Sequence, residues 1–199
     1  MAEWSSSVSE LIDQLGRLPG IGRKSAERLA WHLLRIPKAD AVALAEAIVH
    51  VRENVRYCEI CYNLSEAPVC GICRDPRRDG TKLCVVEQPR DLMALEQAGV
   101  FQGVYHVLLG RIAPLDGVTP DQLTIDPLID RIRAGNFNEI IMATNPTVEG
   151  DGTSLYISNL LSGFPLTLTR LARGITSGSI LEYANKEILA DALTGRQKL

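Results

Sequence analysis

The chain has 199 residues, of which 46% are hydrophobic and 23% are charged, a composition typical of a globular protein. It has no apolar run of about 18 residues, and its first five residues lack the basic and apolar segments of a secretion signal, so we expect a cytoplasmic protein without a membrane span. The net charge of −3 excludes a polycation, and any nucleic-acid site must therefore come from a local basic patch.

Residues 1–53 are predicted to form an all-helical domain. Apolar side chains recur with helical spacing over residues 8–15 and again over residues 23–34, and the segment LPGIG separates the two runs. Gly20 and Gly22 permit a tight turn with positive φ and leave the backbone bare. The isoleucine between them is expected to fill the gap between the two helices. The pattern therefore predicts a helical hairpin.

The turn places free backbone N–H groups at the N-terminus of the second helix, where the helix dipole favours an anion. From residue 17 to residue 35 there are five basic residues and one acidic residue, a local excess of four positive charges. The segment resembles a helix-hairpin-helix motif, which binds DNA phosphate without reading sequence. The residues predicted to bind DNA are Gly20, Gly22, Arg23 and Lys24. The alternative is a plain helical hairpin with a solvated charged face.

Residues 54–79 are predicted to form a small irregular module stabilised by a metal ion. Two CxxC pairs separated by eight residues supply four thiolates, Cys58, Cys61, Cys70 and Cys73. Four sulfurs with no open position are typical of structural zinc, and so short a segment cannot bury a core of its own, so we expect one Zn²⁺ per chain. The alternatives are a redox pair and an iron–sulfur site. The fifth cysteine, Cys84, lies in an apolar strand and is predicted to be a core residue.

Residues 80–174 alternate short apolar runs with helical patterns, which predicts an α/β fold with a mostly parallel sheet and helices on both faces. The predicted strands are 82–86, 103–109, 139–143 and 166–171, and the predicted helices are 91–98, 123–134 and 152–161. A C-terminal tail, 175–199, follows, with a helix predicted over 179–194. Ligands of such sheets bind at the carboxyl ends of the strands.

Two acidic segments follow predicted strands, VVE and ATNPTVEGD, and together they resemble the TOPRIM domain of topoisomerases, primases and related nucleases. In that family a glutamate and two aspartates bind magnesium and support phosphoryl transfer. Glu87 matches the glutamate, whereas Asn145 and Thr147 stand at the aspartate positions. Because Asn and Thr cannot supply the charge that holds a hard dication, we expect the fold without the catalysis. Glu87 and Glu149 are then remnants of a metal site; the alternatives are an exposed strand-end acid and a loop acid.

The sequence offers no other catalytic constellation. His106 lies inside an apolar strand and is predicted to be a core residue rather than an acid–base catalyst, and Tyr105 has the same status. No phosphate-binding GxxxxGK[ST] loop is present. We therefore predict no catalytic residue.

The order of these parts resembles the RecR family of bacterial recombination mediators over nearly the whole chain. The resemblance is carried by LPGIGRKSAERLA, CEIC, CGIC, VVEQPRDLMALE, YHVLLGRIAPLDG, ATNPTVEGDGTSLYI, TRLARG and LEYAN. The chain departs from the family at Leu109, where Gly is usual, and at Ile180 and Asn185, which are usually Asp. The tail of the family has been likened to a Walker B acid, and Ile180 removes that acid, so no nucleotide role is carried over.

The resemblance implies a protein that binds single- and double-stranded DNA and helps to load RecA at gaps. It implies RecO, and in some settings RecF, as partners, with Glu149 in the loop that contacts RecO. It also implies a homo-oligomeric ring, typically a tetramer, closed through N-terminal and C-terminal elements. Two alternatives remain: a magnesium-dependent TOPRIM nuclease or primase-like enzyme, and a scaffold whose DNA contact is made by a partner.

Overall fold

The computed structural model describes residues 5–196, which divide between Val55 and Arg56 into two compact units. Residues 1–4, which carry most of the segment considered for a secretion signal, and residues 197–199, the end of the predicted tail, lie outside the described residues. No helix in the described part of the chain is both long enough and apolar enough to cross a membrane.

The first unit is helical, as predicted. Its helices are α1 (Ser6–Gly16), α2 (Arg23–Arg35) and α3 (Lys38–Asn54). Helices α1 and α2 pack together around Ile12, Ala26 and Ala30, which are buried. Ile21 packs against this cluster from the turn, so it fills the gap between the helices as expected.

The second unit begins with a small module built on short elements. Strand β1 (Arg56–Tyr57) pairs antiparallel with β2 (Leu64–Ser65), and the single-turn helix α4 (Gly71–Arg74) follows. The buried side chains of this module are mainly its cysteines, Cys58, Cys61 and Cys70. Cysteines therefore occupy the place that aliphatic side chains take in a larger core.

The rest of the second unit is an α/β layer structure. Its elements in chain order are β3 (Asp79–Val86), α5 (Pro89–Ala98), β4 (Gly103–Val107), α6 (Ile125–Ala134), β5 (Glu139–Ala143), α7 (Val148–Leu160), β6 (Thr167–Arg170) and α8 (Lys186–Thr194). In the described residues the sheet has the order β4-β3-β5-β6, and every pair is parallel. The predicted fold class is confirmed.

Successive side chains of β3 pack into cores on opposite faces of the sheet, because side chains alternate between the two faces along a strand. Leu83 and Val85 pack with residues of α6 and α7 in one cluster. Cys84 and Val86 pack with Leu92 of α5 in the other. The sheet is thus covered on both faces, and the carboxyl ends of β3 and β5 meet at one edge.

Several element boundaries differ from the prediction. Helix α7 begins at Val148 rather than at residue 152, because the Thr147 side chain caps it by accepting a hydrogen bond from Gly150 N (3.1 Å). Strand β4 ends at Val107, two residues early, and Leu109 adopts φ 63°. The predicted tail helix is a 3-10 turn at Leu181–Tyr183 followed by the shorter α8.

Candidate functional site

The four cysteines converge as the two CxxC pairs predict. The sulfur atoms of Cys58, Cys61, Cys70 and Cys73 all lie within 4.8 Å of one another, and in the described residues no other group of His, Cys, Asp or Glu meets this criterion. Cys61 Sγ and Cys70 Sγ are 3.6 Å apart. A tetrahedral site with Zn–S bonds of about 2.3 Å requires S–S distances of about 3.8 Å, so the donor set fits one zinc ion.

Backbone hydrogen bonds within the zinc module hold the two CxxC pairs in position. Cys70 N donates to Cys58 Sγ (3.3 Å), which orients one sulfur from the opposite knuckle. Tyr62 N donates to Cys58 O (2.9 Å), and Tyr62 itself has φ 63°, a conformation that turns the first knuckle back on itself. The local fold therefore already brings the two pairs face to face.

The thiols perturb one another strongly. The hydrogen bond with Cys70 raises the pKa of Cys61, and burial adds to this effect. The same hydrogen bond lowers the pKa of Cys70. Sulfur atoms this close compete for the same protons. A bound dication removes that competition, because metal binding replaces the protons of the thiols.

Cys84 lies apart from this cluster. It is buried on β3, and burial raises the pKa of its thiol to about 12. It is a core residue, as predicted, and its thiol stays protonated at neutral pH.

Glu87 lies at the carboxyl end of β3 and is buried, with only 2% of its surface exposed. The interpretation of Glu87 as an exposed strand-end acid is therefore wrong. Asn145 N donates to Glu87 Oε1 (2.8 Å), and Asn145 Nδ2 donates to Glu87 Oε2 (2.8 Å). Both carboxylate oxygens thus accept hydrogen bonds from the residue that stands at the first aspartate position.

The helix that follows, α7, packs closely against Glu87 and Asn145. Gly150, in the first turn of α7, approaches so closely that a Cβ there would lie 2.1 Å from Asn145 O and 2.8 Å from Glu87 Oε1. Glu149 is half-exposed at the start of α7, and Asp151 is held by Arg173 in a two-point ion pair. Within the described residues, these acids do not converge with Glu87 on one point.

The helical hairpin has one open helix end. Gly20 adopts φ 79°, the left-handed conformation that favours glycine, and Ile21 N donates to Leu18 O (3.0 Å) to close the turn. Gly22, by contrast, has φ −78° and ψ 164°, so the expectation of a positive φ there is wrong. Gly22 is the N-cap of α2, and no side chain of the described residues caps this end. Its first amides are free to bind an anion.

The two basic residues of the turn differ in their surroundings. Arg23 lies 3.8 Å from Asp13 and 3.4 Å from Glu27, both at the surface. Such exposed ion pairs are weak and yield readily to a stronger anion. Lys24 is exposed and forms no salt bridge with any carboxylate that the structure describes. Lys24 is thus the more available cation.

His106 is fully buried on β4. Its Nε2 lies 2.9 Å from Thr124 O, and burial lowers the pKa of its imidazole to about 4. It is neutral at pH 7, so Nε2–H donates to that carbonyl, and in the part of the chain that the structure describes it forms no salt bridge with a carboxylate. His106 is therefore the core residue that its apolar strand predicted.

Comparison with known proteins is consistent with this arrangement along the chain. The family profile for the RecR helix-hairpin-helix matches residues 8–52, and the profile for the RecR zinc finger domain with four cysteines matches residues 55–75. The Toprim domain profile matches residues 81–172.

Three curated relatives named "Recombination protein RecR" match over almost the full length. The protein from Rhodopirellula baltica is 71% identical over 199 residues, which is 100% of both chains. That from Leifsonia xyli is 49% identical over 98% of this chain and 99% of its own, and that from Pelotomaculum thermopropionicum is 48% identical over 100% of both. With its four-cysteine zinc finger between a helix-hairpin-helix and a TOPRIM sheet, this chain belongs to the RecR family of recombination proteins.

Proposed function

We propose that this protein is a non-enzymatic recombination mediator in DNA repair. It binds single- and double-stranded DNA without reading sequence, and with partners of the RecO and RecF type it helps to load RecA at single-strand gaps. In this role the TOPRIM sheet is a scaffold, and the hairpin of the first unit is the DNA contact.

The observation that carries the absence of catalysis is the closed pairing of Glu87 with Asn145. Magnesium sites need several oxygen ligands with net negative charge. Here both oxygens of Glu87 accept hydrogen bonds from Asn145, and Asp151 is engaged by Arg173. Thr147 uses its oxygen to cap α7. Each of these groups that could have held a metal is committed to a bond within the protein.

The open N-terminus of α2 supports the DNA contact. Among the described residues no side chain caps the amides after Gly22 and no carboxylate pairs with Lys24, so both suit a phosphate oxygen, and Arg23 can exchange its surface carboxylates for DNA. Such a contact recognises the backbone alone, so binding should fall steeply with salt. Repetition of the patch around a ring of identical subunits would allow an acidic chain to hold DNA.

For partner binding we propose the start of α7. Glu149 is half-exposed there, and the neighbouring Val148 is 87% exposed. An acid beside an exposed apolar residue is suited to an interface with a basic rim and an apolar centre. We also propose that the domain limits are 1–53, 54–79, 80–174 and 175–199, and that the last segment closes a ring-shaped tetramer.

The first experiment is one incubation of the full chain with gapped circular DNA and Mg²⁺, divided between a native and a denaturing gel. A shifted complex with intact strands is expected. Strand cleavage would overturn the non-enzymatic assignment in favour of a TOPRIM nuclease. Absence of both shift and cleavage would overturn DNA binding by the lone chain and favour a scaffold that reaches DNA through its partner.

A matched set of variants tests the hairpin. The double variant Arg23→Glu, Lys24→Glu should weaken DNA binding at least tenfold at low salt and reduce the slope of log affinity against log salt by roughly one per lost phosphate contact. The double variant Lys38→Glu, Arg52→Glu, at two exposed basic residues of α3, makes the same change in net charge; it is the control and should bind nearly as the parent does. Equal effects of the two changes would mean that net charge, not the hairpin, attracts DNA.

A further inference from the structure

Arg131 on α6 is a half-buried cation without an acidic partner among the described residues. Its guanidinium Nη1 donates to Tyr105 O (2.6 Å), and its Cζ lies 5.8 Å from the centre of the Phe137 ring. No carboxylate among residues 5–196 forms a salt bridge with it. Its helix neighbour Arg133, in contrast, is exposed and pairs with Asp130 (2.7 Å). The carbonyl and the ring stabilise the guanidinium only in part, so a nearby negative charge would stabilise this half-buried cation further.

The contact that Arg131 makes with β4 indicates where such a charge lies. Leu108 N donates to Val86 O on the β3 side (2.8 Å), so Tyr105 and Val107 direct their backbone groups toward the outer edge of the sheet. At that edge Val107 N donates to Cys61 O (2.8 Å). Arg131 and the first zinc knuckle are therefore attached to the same edge of β4, two residues apart.

The four cysteines of the zinc module supply negative charge near Arg131 once they bind zinc as thiolates. Burial lowers the pKa of its guanidinium, and the charges of all four cysteines of the zinc module oppose this shift. Four thiolates around one dication leave a centre with two negative charges in excess, in a module whose sulfurs are mostly buried. Such a centre is stabilised by a nearby fixed positive charge.

We infer that Arg131 is the counter-charge of the zinc–tetrathiolate centre and couples zinc retention to the TOPRIM sheet through the outer edge of β4. It is a positioning residue that touches neither DNA nor metal. This role is independent of the proposed mediator function. Groups that support a metal site from outside its ligands change metal affinity by about 10- to 100-fold when they are replaced, which sets the size of the expected effect.

The test compares zinc affinity of the full-length holoprotein and its variants by competition with a chromogenic chelator. Arg131→Gln keeps a donor for Tyr105 O but removes the charge, and we expect at least a tenfold loss of zinc affinity. Arg131→Lys keeps the charge and should stay within about threefold of the parent. Arg133→Gln, on the same helix, is the matched control and should leave the affinity unchanged.

Three results would overturn the inference: parental zinc affinity in Arg131→Gln, equal losses in the Gln and Lys variants, or a loss in Arg133→Gln as large as that in Arg131→Gln. Equal losses would mean that Arg131 acts by shape and hydrogen bonding alone. Far-ultraviolet circular dichroism checks that each variant is folded. Should Arg131→Gln not fold, the Lys variant decides, since a tenfold loss there contradicts a role based on charge and parental affinity supports it.

Discussion

At Glu87 a buried carboxylate is stabilised by two hydrogen bonds from one asparagine rather than by a cation. Burial of an unpaired charge costs several kcal/mol, but charge-assisted hydrogen bonds from a backbone amide and a side-chain amide offset much of that cost. Asn145 satisfies both oxygens of the carboxylate, and Gly150 approaches both Asn145 and Glu87 closely. The site is therefore a packed structural element. Substitutions there should lower the stability of the fold as substitutions in a hydrophobic core do.

Gly150 provides the sharpest test of that packing. In Gly150→Ala the new Cβ would lie 2.1 Å from Asn145 O, so the backbone has to move, and we expect a loss of about 2 kcal/mol or more in the free energy of unfolding. Gly152, two residues along α7, has nothing within 4 Å of its would-be Cβ. Gly152→Ala should stabilise the helix by about 0.5–1 kcal/mol. Urea denaturation checks both, and equal effects would contradict the close approach.

The buried His106 should make the folded state less stable as the pH falls. Its pKa is lowered from 6.5 to about 4 in the folded chain, so between these values the unfolded state binds more protons and stability falls as pH falls. At pH 5 the cost is about 2 kcal/mol relative to pH 7. His106→Gln keeps a donor for Thr124 O and should lose this part of the pH dependence, whereas His50→Gln, at the surface, should retain it. Denaturation at both pH values measures the difference, and identical pH profiles for His106→Gln and parent would refute it.

At the scale of elements, α2 is a helix whose N-terminus is left uncapped at a potential cost to its own stability. Gly22 has ordinary extended angles and open space around its Cβ position, so nothing in the described fold requires glycine there. Asp is a better N-cap than Gly by a few tenths of a kcal/mol. An uncapped end is consistent with an end reserved for an external anion.

Gly22→Asp should therefore stabilise the first unit slightly and weaken DNA binding at least fivefold, since the new carboxylate caps the amides and repels phosphate. Gly22→Ala adds a Cβ without a cap or charge and serves as the control, with DNA binding close to that of the parent. Thermal denaturation and a fluorescence binding assay give the two readouts. Parental DNA affinity in Gly22→Asp would exclude the α2 N-terminus from the DNA contact.

The zinc module and β4 should respond together to metal removal. Val107 N is protected through Cys61 O, outside the sheet, whereas Leu108 N is protected through Val86 O within it. Chelation of zinc should speed hydrogen exchange at Val107 by at least tenfold and leave Leu108 nearly unchanged. NMR measures the exchange of both amides in one sample, so Leu108 is the internal control for Val107. Equal protection at Val107 with and without zinc would mean that the knuckle fold does not depend on the metal.

The parts of the fold that sequence predicted are those specified by local pattern. The all-apolar end of β3 and the alternation with helices specify a parallel sheet, and the paired CxxC spacing specifies the metal ligands. The start of α7 was missed because Gly150 and Gly152 obscure the helical pattern that Thr147 caps. Arg131 was missed because α6 and the first zinc knuckle come together only where both contact the outer edge of β4, and no spacing in the sequence records that contact.

At the scale of the whole molecule, the C-terminal segment exposes more apolar surface than a solvated tail needs. Leu181 and Tyr183 in the 3-10 turn are 63% and 80% exposed, and the preceding Ile180 is 60% exposed. Contiguous exposed apolar residues are typical of an interface with another chain. A closed ring repeats one contact at every pair of subunits. Weakening that contact should therefore reduce the number of subunits in the assembly.

The double variant Leu181→Asp, Tyr183→Asp should therefore reduce the molar mass in solution from that of the proposed tetramer to that of a smaller species. Leu115 is the matched control, since it is 101% exposed on a turn of the TOPRIM sheet outside the tail, and Leu115→Asp should leave the mass unchanged. Light scattering coupled to size-exclusion chromatography measures both over a range of concentrations. A tetramer that survives the tail variant would assign closure to other surfaces, and loss of mass in Leu115→Asp would move the interface to the sheet. Because the hairpin lies in the separate first unit, the smaller species should keep its contact with DNA but bind more weakly, since each particle then offers fewer basic patches to one strand.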